Sequence, residues 1–320
     1  MSAGDVAGGA PRGAPEPVLL PRRSVGASIV VKVFVVVPFL ALLAAVPLAW
    51  NWGLSWIDVS LSVGFYVVTL TGVTVGFHRY FTHRSFKANR PTRIGLAIVG
   101  SMAFQGPIIT WVADHRRHHA YADKEGDPHS PWLFGTSPLA VARGFWHAHY
   151  GWLIHHDRTN PARFAPDLLA DRDIVRINRQ FGVWTALSVL APAVLGGLLT
   201  WSWWGALTAF FWAGLVRVGV LHHVSWSINS ICHMIGTRPW TARDRSTNYW
   251  PLAILSMGES WHNLHHADPT CARHGVRRGE VDPSARIIAL LERLGWVHDV
   301  RWPTTRRLAR LRAERVQQSG

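Results

Sequence analysis

The chain has 320 residues, a formal net charge of +14, 48% hydrophobic residues and 18 tryptophans. That length suits one large domain or two modest ones, and the apolar, tryptophan-rich composition points to a membrane. Its two cysteines, Cys232 and Cys271, exclude a cysteine-ligated iron–sulfur cluster and a disulfide framework, and no nucleic-acid-binding motif accompanies the basic residues.

Residues 1–27 are rich in Gly, Ala and Pro and read as a disordered N-terminal tail, without the charged-then-apolar pattern of a cleaved signal peptide. Residues 28–49 are continuously apolar, about 33 Å as a helix and enough to cross a bilayer. Lys32 near the start can snorkel to the interface. The turn WNWGLSW puts tryptophans at the level of an aromatic belt, and residues 57–77 return. A second hairpin runs out along 181–200, turns at WSWW and comes back along 205–221. Arg217 falls near the end of that last span, where it snorkels or meets a polar group.

Neither short turn carries Lys or Arg, whereas residues 78–180 carry 14 basic side chains and the region after His222 another 14. The positive-inside rule therefore places both termini and the large central loop in the cytosol. The expected fold is an all-α membrane protein: four transmembrane helices in two hairpins, with a cytosolic helical cap. Residues 94–113 are apolar enough to suggest a fifth span. A single crossing there would carry the basic HRRHH segment to the far side, and Gln105-Gly106-Pro107 interrupts the run. It is expected to lie along the interface and close over the cap. Residues 304–320 form a basic tail, either an amphipathic helix on the anionic leaflet or a solvated segment.

Three histidine clusters fall on the cap side. HRYFTH supplies His78 and His83, DHRRHH supplies His115, His118 and His119, and HNLHH supplies His262, His265 and His266. In an α-helix, positions i, i+3 and i+4 lie within an arc of about 100°, so each HxxHH aims three imidazoles at one point. The HxxxxH pair cannot share an α-helix face, since five residues turn through about 500°; it suits a place where a span ends and the chain bends. Eight imidazoles exceed the four ligands of a tetrahedral zinc site and suit two metals of higher coordination number. Asp114, Glu259 and Asp268 lie beside the later clusters, where a carboxylate can accept the second ring N–H and orient a ligand. His129, His147, His149, His155, His156, His274 and His298 lack such spacing, and surface or supporting roles are expected for them.

HxxxxH, HxxHH and HxxHH interleaved with two membrane hairpins resemble the integral-membrane fatty acyl desaturases, and within them the acyl-CoA Δ9 desaturases related to stearoyl-CoA desaturase. GVTVGFHRYFTHRSFKANR, WVADHRRHHAYADKEGDPHSPW and SWSINSICHMIG resemble the actinobacterial branch, and the likeness covers residues 28–303. The resemblance implies a further metal-binding histidine, His233, and an asparagine that acts through water, Asn229. It implies two iron ions held by His78, His83, His115, His118, His119, His233, His262, His265 and His266. It also implies an acyl tunnel kinked around Gln105, Trp111 and Ser225. Ala113 departs from the animal enzymes, which have a CoA-binding arginine there, so the acyl carrier stays open between CoA, phospholipid and carrier protein.

The activity so implied is O2-dependent insertion of a cis double bond between carbons 9 and 10 of a saturated long-chain acyl-CoA. The electrons would come from an external NAD(P)H-dependent reductase on the cytosolic side, since the chain has no GxGxxG after a strand, no cysteine set and no haem-binding HPGG segment. Alternatives are an acyl-lipid desaturase or a membrane fatty acid or alkane hydroxylase. A metal transporter or membrane haem protein would instead carry its histidines inside the spans.

Overall fold

The computed structural model describes residues 16–51, 53–155 and 157–318, with the side chains of 50, 51 and 313–318 left aside. Among these residues four helices are long and apolar enough to cross a membrane: Val25–Ala49, Trp56–Thr82, Phe181–Thr200 and Trp203–His233. They are apolar on all sides, as lipid requires, and Val30, Leu40, Val63, Val68, Leu190 and Leu199 stay exposed on their outer surfaces. Trp50 and Trp52 of the first expected aromatic turn lie outside the described side chains; Trp201 and Trp203 of the second are exposed.

The second and fourth spans run longer than the apolar stretches that mark them, 27 and 31 residues. About 20 residues cross a bilayer, so the surplus turns stand clear of it and become the frame of the cap. Hydropathy shows where apolar side chains stop; hydrogen bonding continues the helix beyond that point. Arg217 consequently sits well inside the fourth span, and of the two roles expected for it, it takes contact with polar groups rather than snorkelling. It is 2% exposed, and its guanidinium donates to the Ser188 carbonyl and hydroxyl at 2.8 and 2.9 Å and to the Ala213 carbonyl.

Close approach holds the hairpins. A Cβ on Gly196 would come within 2.3 Å of Ala209 Cβ, so only glycine lets the third span meet the fourth. At the head of the second span Ser55 and Asp58 form a reciprocal cap, and buried Asp58 also accepts from the Thr208 hydroxyl of the fourth.

The run at 94–113 is no fifth span. It divides into helices Arg90–Ser101 and Ile108–Tyr121, with Phe104 and Gly106 at positive φ in the break. The first docks on the second span where Gly72 meets Gly100. Phe77, Val112, Ile108, Ile174 and Ile288 form the apolar core of the cap around it.

Residues 1–15 of the expected tail lie outside the described residues, but residues 16–27 do not run free. Leu19–Leu20 pairs antiparallel with Arg158–Thr159, Asn160 donates to the Pro17 carbonyl, and the first span already begins at Val25. The basic C-terminal segment is a helix, Thr305–Gln318, docked on the cap: Arg307 pairs with Asp268, and the Leu311 carbonyl accepts from Thr241 N–H.

Candidate metal centre

The first histidine pair sits on an unusual turn. Residues Gly72–Thr82 at the end of the second span are π-helical, and His83 N–H donates to the His78 carbonyl five residues back. The i→i+5 pattern widens each turn, so residues five apart lie closer to one face than they would in an α-helix. His78 and His83, expected on different faces of an α-helix, therefore face the same way, with ring centroids 4.9 Å apart. The Thr82 hydroxyl, donating to the Phe77 carbonyl, steadies the wide turn.

Helix Ile108–Tyr121 brings His115, His118 and His119, and the short helix His262–Ala267 brings the last three. His233 arrives on the final turn of the fourth span. The nine histidines sort into two adjoining groups. His78, His83, His115, His119 and His265 converge in one; His118, His233, His262 and His266 converge in the other. Within each group the ligand nitrogens lie within 4.8 Å of one another. His119 and His266 stack across the boundary with centroids 4.5 Å apart. Each HxxHH thus splits between the groups, because its i and i+4 rings and its i+3 ring diverge by enough to reach different centres. Asn229 lines the cavity beside both groups, next to His115 and His262.

Carboxylates orient four of the rings from behind. The Nδ1 of His118 lies 3.0 Å from Asp127, that of His233 2.9 Å from Asp123, and that of His266 2.6 Å from Asp244. His78 Nδ1 lies 2.5 Å from Glu259. Of the three carboxylates expected in this role, only Glu259 takes it, and on His78 rather than on its sequence neighbour His262. Asp114 turns toward Thr159, Arg23 and Arg117, and Asp268 is taken by Arg307 and Thr270. Asp123, Asp127 and Asp244 carry no spacing signal that could have found them, since they reach their rings through tertiary contact. His129 packs beside His118, and His274 lies beside Glu259 and His265. His156 lies outside the described residues.

The second group tests whether a metal fits. A ring that gives its Nδ1–H to a carboxylate presents a bare Nε2. His118, His233 and His266 do so. The Nε2 atoms of His118 and His266 then face each other at 3.4 Å, and His262 Nε2 lies 3.0 and 3.2 Å from those of His266 and His233. Converging lone pairs at this distance repel; a cation among them turns the repulsion into coordination, so the donor set fits a borderline metal such as iron. Burial first, then the neighbouring imidazoles, holds His83, His115, His119, His262, His265 and His266 well below the ordinary histidine range, in the neutral form that binds metal. Burial alone would raise the Glu259 carboxyl, but His78, Arg79 and His274 outweigh it and bring it to about 2.

A largely apolar cavity lined by Phe34 of the first span and Trp226 of the fourth reaches His115 and Asn229. Gln105, Trp111 and Ser225 all line it. A second hollow lined by Trp111, Ser225, Asn229, His78 and His262 adjoins it. Trp111 stacks on His115 at 5.0 Å, and His222, a residue the spacing did not single out, donates to the Phe104 carbonyl and pins the Gln105 bend. Ala113 is fully buried in the core, where no headgroup reaches it.

Residues 54–281 match the family described as Fatty acid desaturase. The chain is 42% identical over 273 residues to a hex-5-enoyl-[acyl-carrier protein] acetylenase of Moorena producens (strain JHB), covering 85% of each chain. It is 36% identical over 250 residues to an sn-1 stearoyl-lipid 9-desaturase of Anabaena variabilis, covering 77% of this chain and 85% of that one. It is 35% identical over 262 residues to an acyl-CoA C20 Delta5-desaturase of Anemone leveillei, covering 81% of this chain and 77% of that one.

Proposed function

The chain belongs to the fatty acid desaturase family, and from that premise we propose that it is an O2-dependent di-iron acyl-CoA Δ9 desaturase of the cell membrane. The observation that carries this reading is the largely apolar cavity that ends against two adjoining groups of converging histidines. Such a cavity takes a long saturated chain, and such groups take two metal ions. By the distribution of Lys and Arg the cap and both termini face the cytosol.

The reaction converts –CH2–CH2–, O2, two electrons and two protons to –CH=CH– and two waters. When bound, the two irons supply the oxidising power that no side chain offers to unactivated C–H bonds. His78, His83, His115, His119 and His265 would hold one, and His118, His233, His262 and His266 the other, with Asn229 acting through water. Trp111 and the pinned Gln105 bend hold the acyl chain so that carbons 9 and 10 face the rings; a misplacement of about an ångström costs much of the rate. Thr110 and Pro107 also line the cavity.

The relatives named above differ in acyl carrier and in position of attack, so carrier and regiochemistry are what the experiment must read. The chain is expressed with a matched reductase in a host lacking Δ9 unsaturation, and acyl chains are analysed by mass spectrometry. New 9-monoenes with the unaltered protein and none with His262→Ala are expected. Hydroxylated chains without double bonds would reassign the protein as a hydroxylase, and double bonds at another carbon would discard Δ9.

A further inference from the structure

Helix Arg172–Arg179 leads directly into the third span, which begins at Phe181. Its inward face is apolar, with Ile174 and Ile177 buried in the core of the cap. Its outward face carries Arg172, Arg176 and Arg179, all exposed. Their spacing of i, i+4 and i+7 sends the three guanidiniums off one side of the helix. Along a helix, Arg176 and Arg179 lie no more than about 8 Å from the first residue of the span, within the layer where phospholipid phosphates sit.

The chain does not neutralise these arginines. Residues 161–180 hold three carboxylates, and each is already clasped by another basic side chain. Asp167 binds Arg84 and Arg116 at 2.7 and 2.6 Å, and Asp171 binds Arg93 at 2.5 Å. Asp173 binds Arg90 and Arg93 at 2.8 and 2.7 Å. Among the described residues none of these acids is left for Arg172, Arg176 or Arg179. The same three arginines line a surface groove with Leu169, Val175 and Gln180. Leu169 is exposed, and Val183, Leu187 and Leu190 stay exposed on the span that follows. Guanidiniums beside aliphatic side chains match one ligand chemistry, a phosphate that carries acyl chains. Arginine suits the phosphate, since it donates two parallel hydrogen bonds.

We infer that this groove binds an anionic phospholipid of the leaflet on the cap side, held by its phosphate. The same helix also supports the metal centre. Asn178 accepts from Ile109 N–H at 3.0 Å and so holds the first turn of helix Ile108–Tyr121, which carries His115, His118 and His119. A lipid clamped on Arg172–Arg179 therefore steadies the element that brings those ligands. The inference depends on the membrane spans alone and stands apart from the reaction and acyl carrier proposed above.

The holoenzyme, purified in dodecyl maltoside, is titrated with dioleoyl phosphatidylglycerol or dioleoyl phosphatidylcholine and read by native mass spectrometry. Phosphatidylglycerol should bind in preference to phosphatidylcholine, and less tightly at high salt. Each basic side chain near an anionic surface adds about fivefold to the attraction. Arg172→Gln, Arg176→Gln and Arg179→Gln together should therefore weaken binding by about tenfold or more. Should that variant fail to fold, Arg176→Gln alone gives a smaller loss. Arg277→Gln with Arg278→Gln, exposed on another loop, should leave binding as it was. Phosphatidylglycerol should also raise the melting temperature of the unaltered protein more than that of the triple variant. Equal retention of the two lipids, or a triple variant that keeps phosphatidylglycerol as the unaltered protein does, would overturn the proposal. Displacement of the lipid by inorganic phosphate, but not by chloride at the same ionic strength, would reassign the groove to a soluble anion.

Discussion

At the scale of single residues, the chemistry of the site depends on groups that touch no substrate. Asp123 and Asp127 hold His233 and His118 by their Nδ1 atoms. Supporting hydrogen bonds of this kind commonly govern metal affinity by about 10–100-fold. Asp123→Asn with Asp127→Asn should therefore release metal from the second group under mild chelation and leave the first, where Glu259 backs His78. Iron per chain, measured by plasma mass spectrometry, should fall from two toward one; a stoichiometry unchanged at two would refute the pairing. The histidines of the three clusters were legible because their spacing is chemical. Their carboxylate partners were not, because Asp127 and Asp244 meet their rings across 9 and 22 positions of chain.

At the scale of elements, the π-helical end of the second span decides how the first cluster works. An α-helical reading separates His78 from His83; the wider turn unites them. Nothing local announces that turn, which is held by packing of Gly72 against Gly100. A Cβ on Gly72 would lie 2.1 Å from Gly100 N, so Gly72→Ala should push helix Arg90–Ser101 away and lower metal loading along with thermal stability, both measurable on purified protein. Helix Ile108–Tyr121 offers a pH test. Arg116 and Arg84 clasp Asp167 at 2.6 and 2.7 Å. Partial burial raises that carboxyl, but the two arginines prevail and bring it from 3.8 to about 2. A depressed acid contributes stability that is fully present above its unfolded value and lost as pH falls through its folded value. Asp167→Asn should thus be less stable than the unaltered protein near neutrality, with the gap closing between roughly pH 4 and pH 2. Melts across that range check it, and a constant gap would exclude the ion pair as the cause.

At the scale of the whole molecule, Arg79 ties the membrane frame to the last third of the chain. It is fully buried and binds Glu259, Asp282 and the Ala272 carbonyl, residues that follow the fourth span. Arg79→Met removes the cation and strands two buried carboxylates, at a cost of about 3–5 kcal/mol. The variant should unfold at markedly lower temperature and, through Glu259, loosen His78; a melt indistinguishable from the unaltered protein would show the network to be dispensable. Chelation of the metal should also lower the melting temperature, since converging lone pairs lose their cation.

Read alone, the sequence determined the four apolar helices, the two hairpins and the three histidine clusters, because each depends on local quantities: the length of an apolar run, the charge of a turn, the spacing of a ligand. Only tertiary structure decided the rest. It extended the second and fourth spans beyond their apolar stretches, buried Arg217 against the third span, and divided nine histidines five and four between two centres. Those outcomes depend on which backbone approaches which, and Gly72, Gly196 and Arg79 set that approach through contacts between segments far apart in the chain.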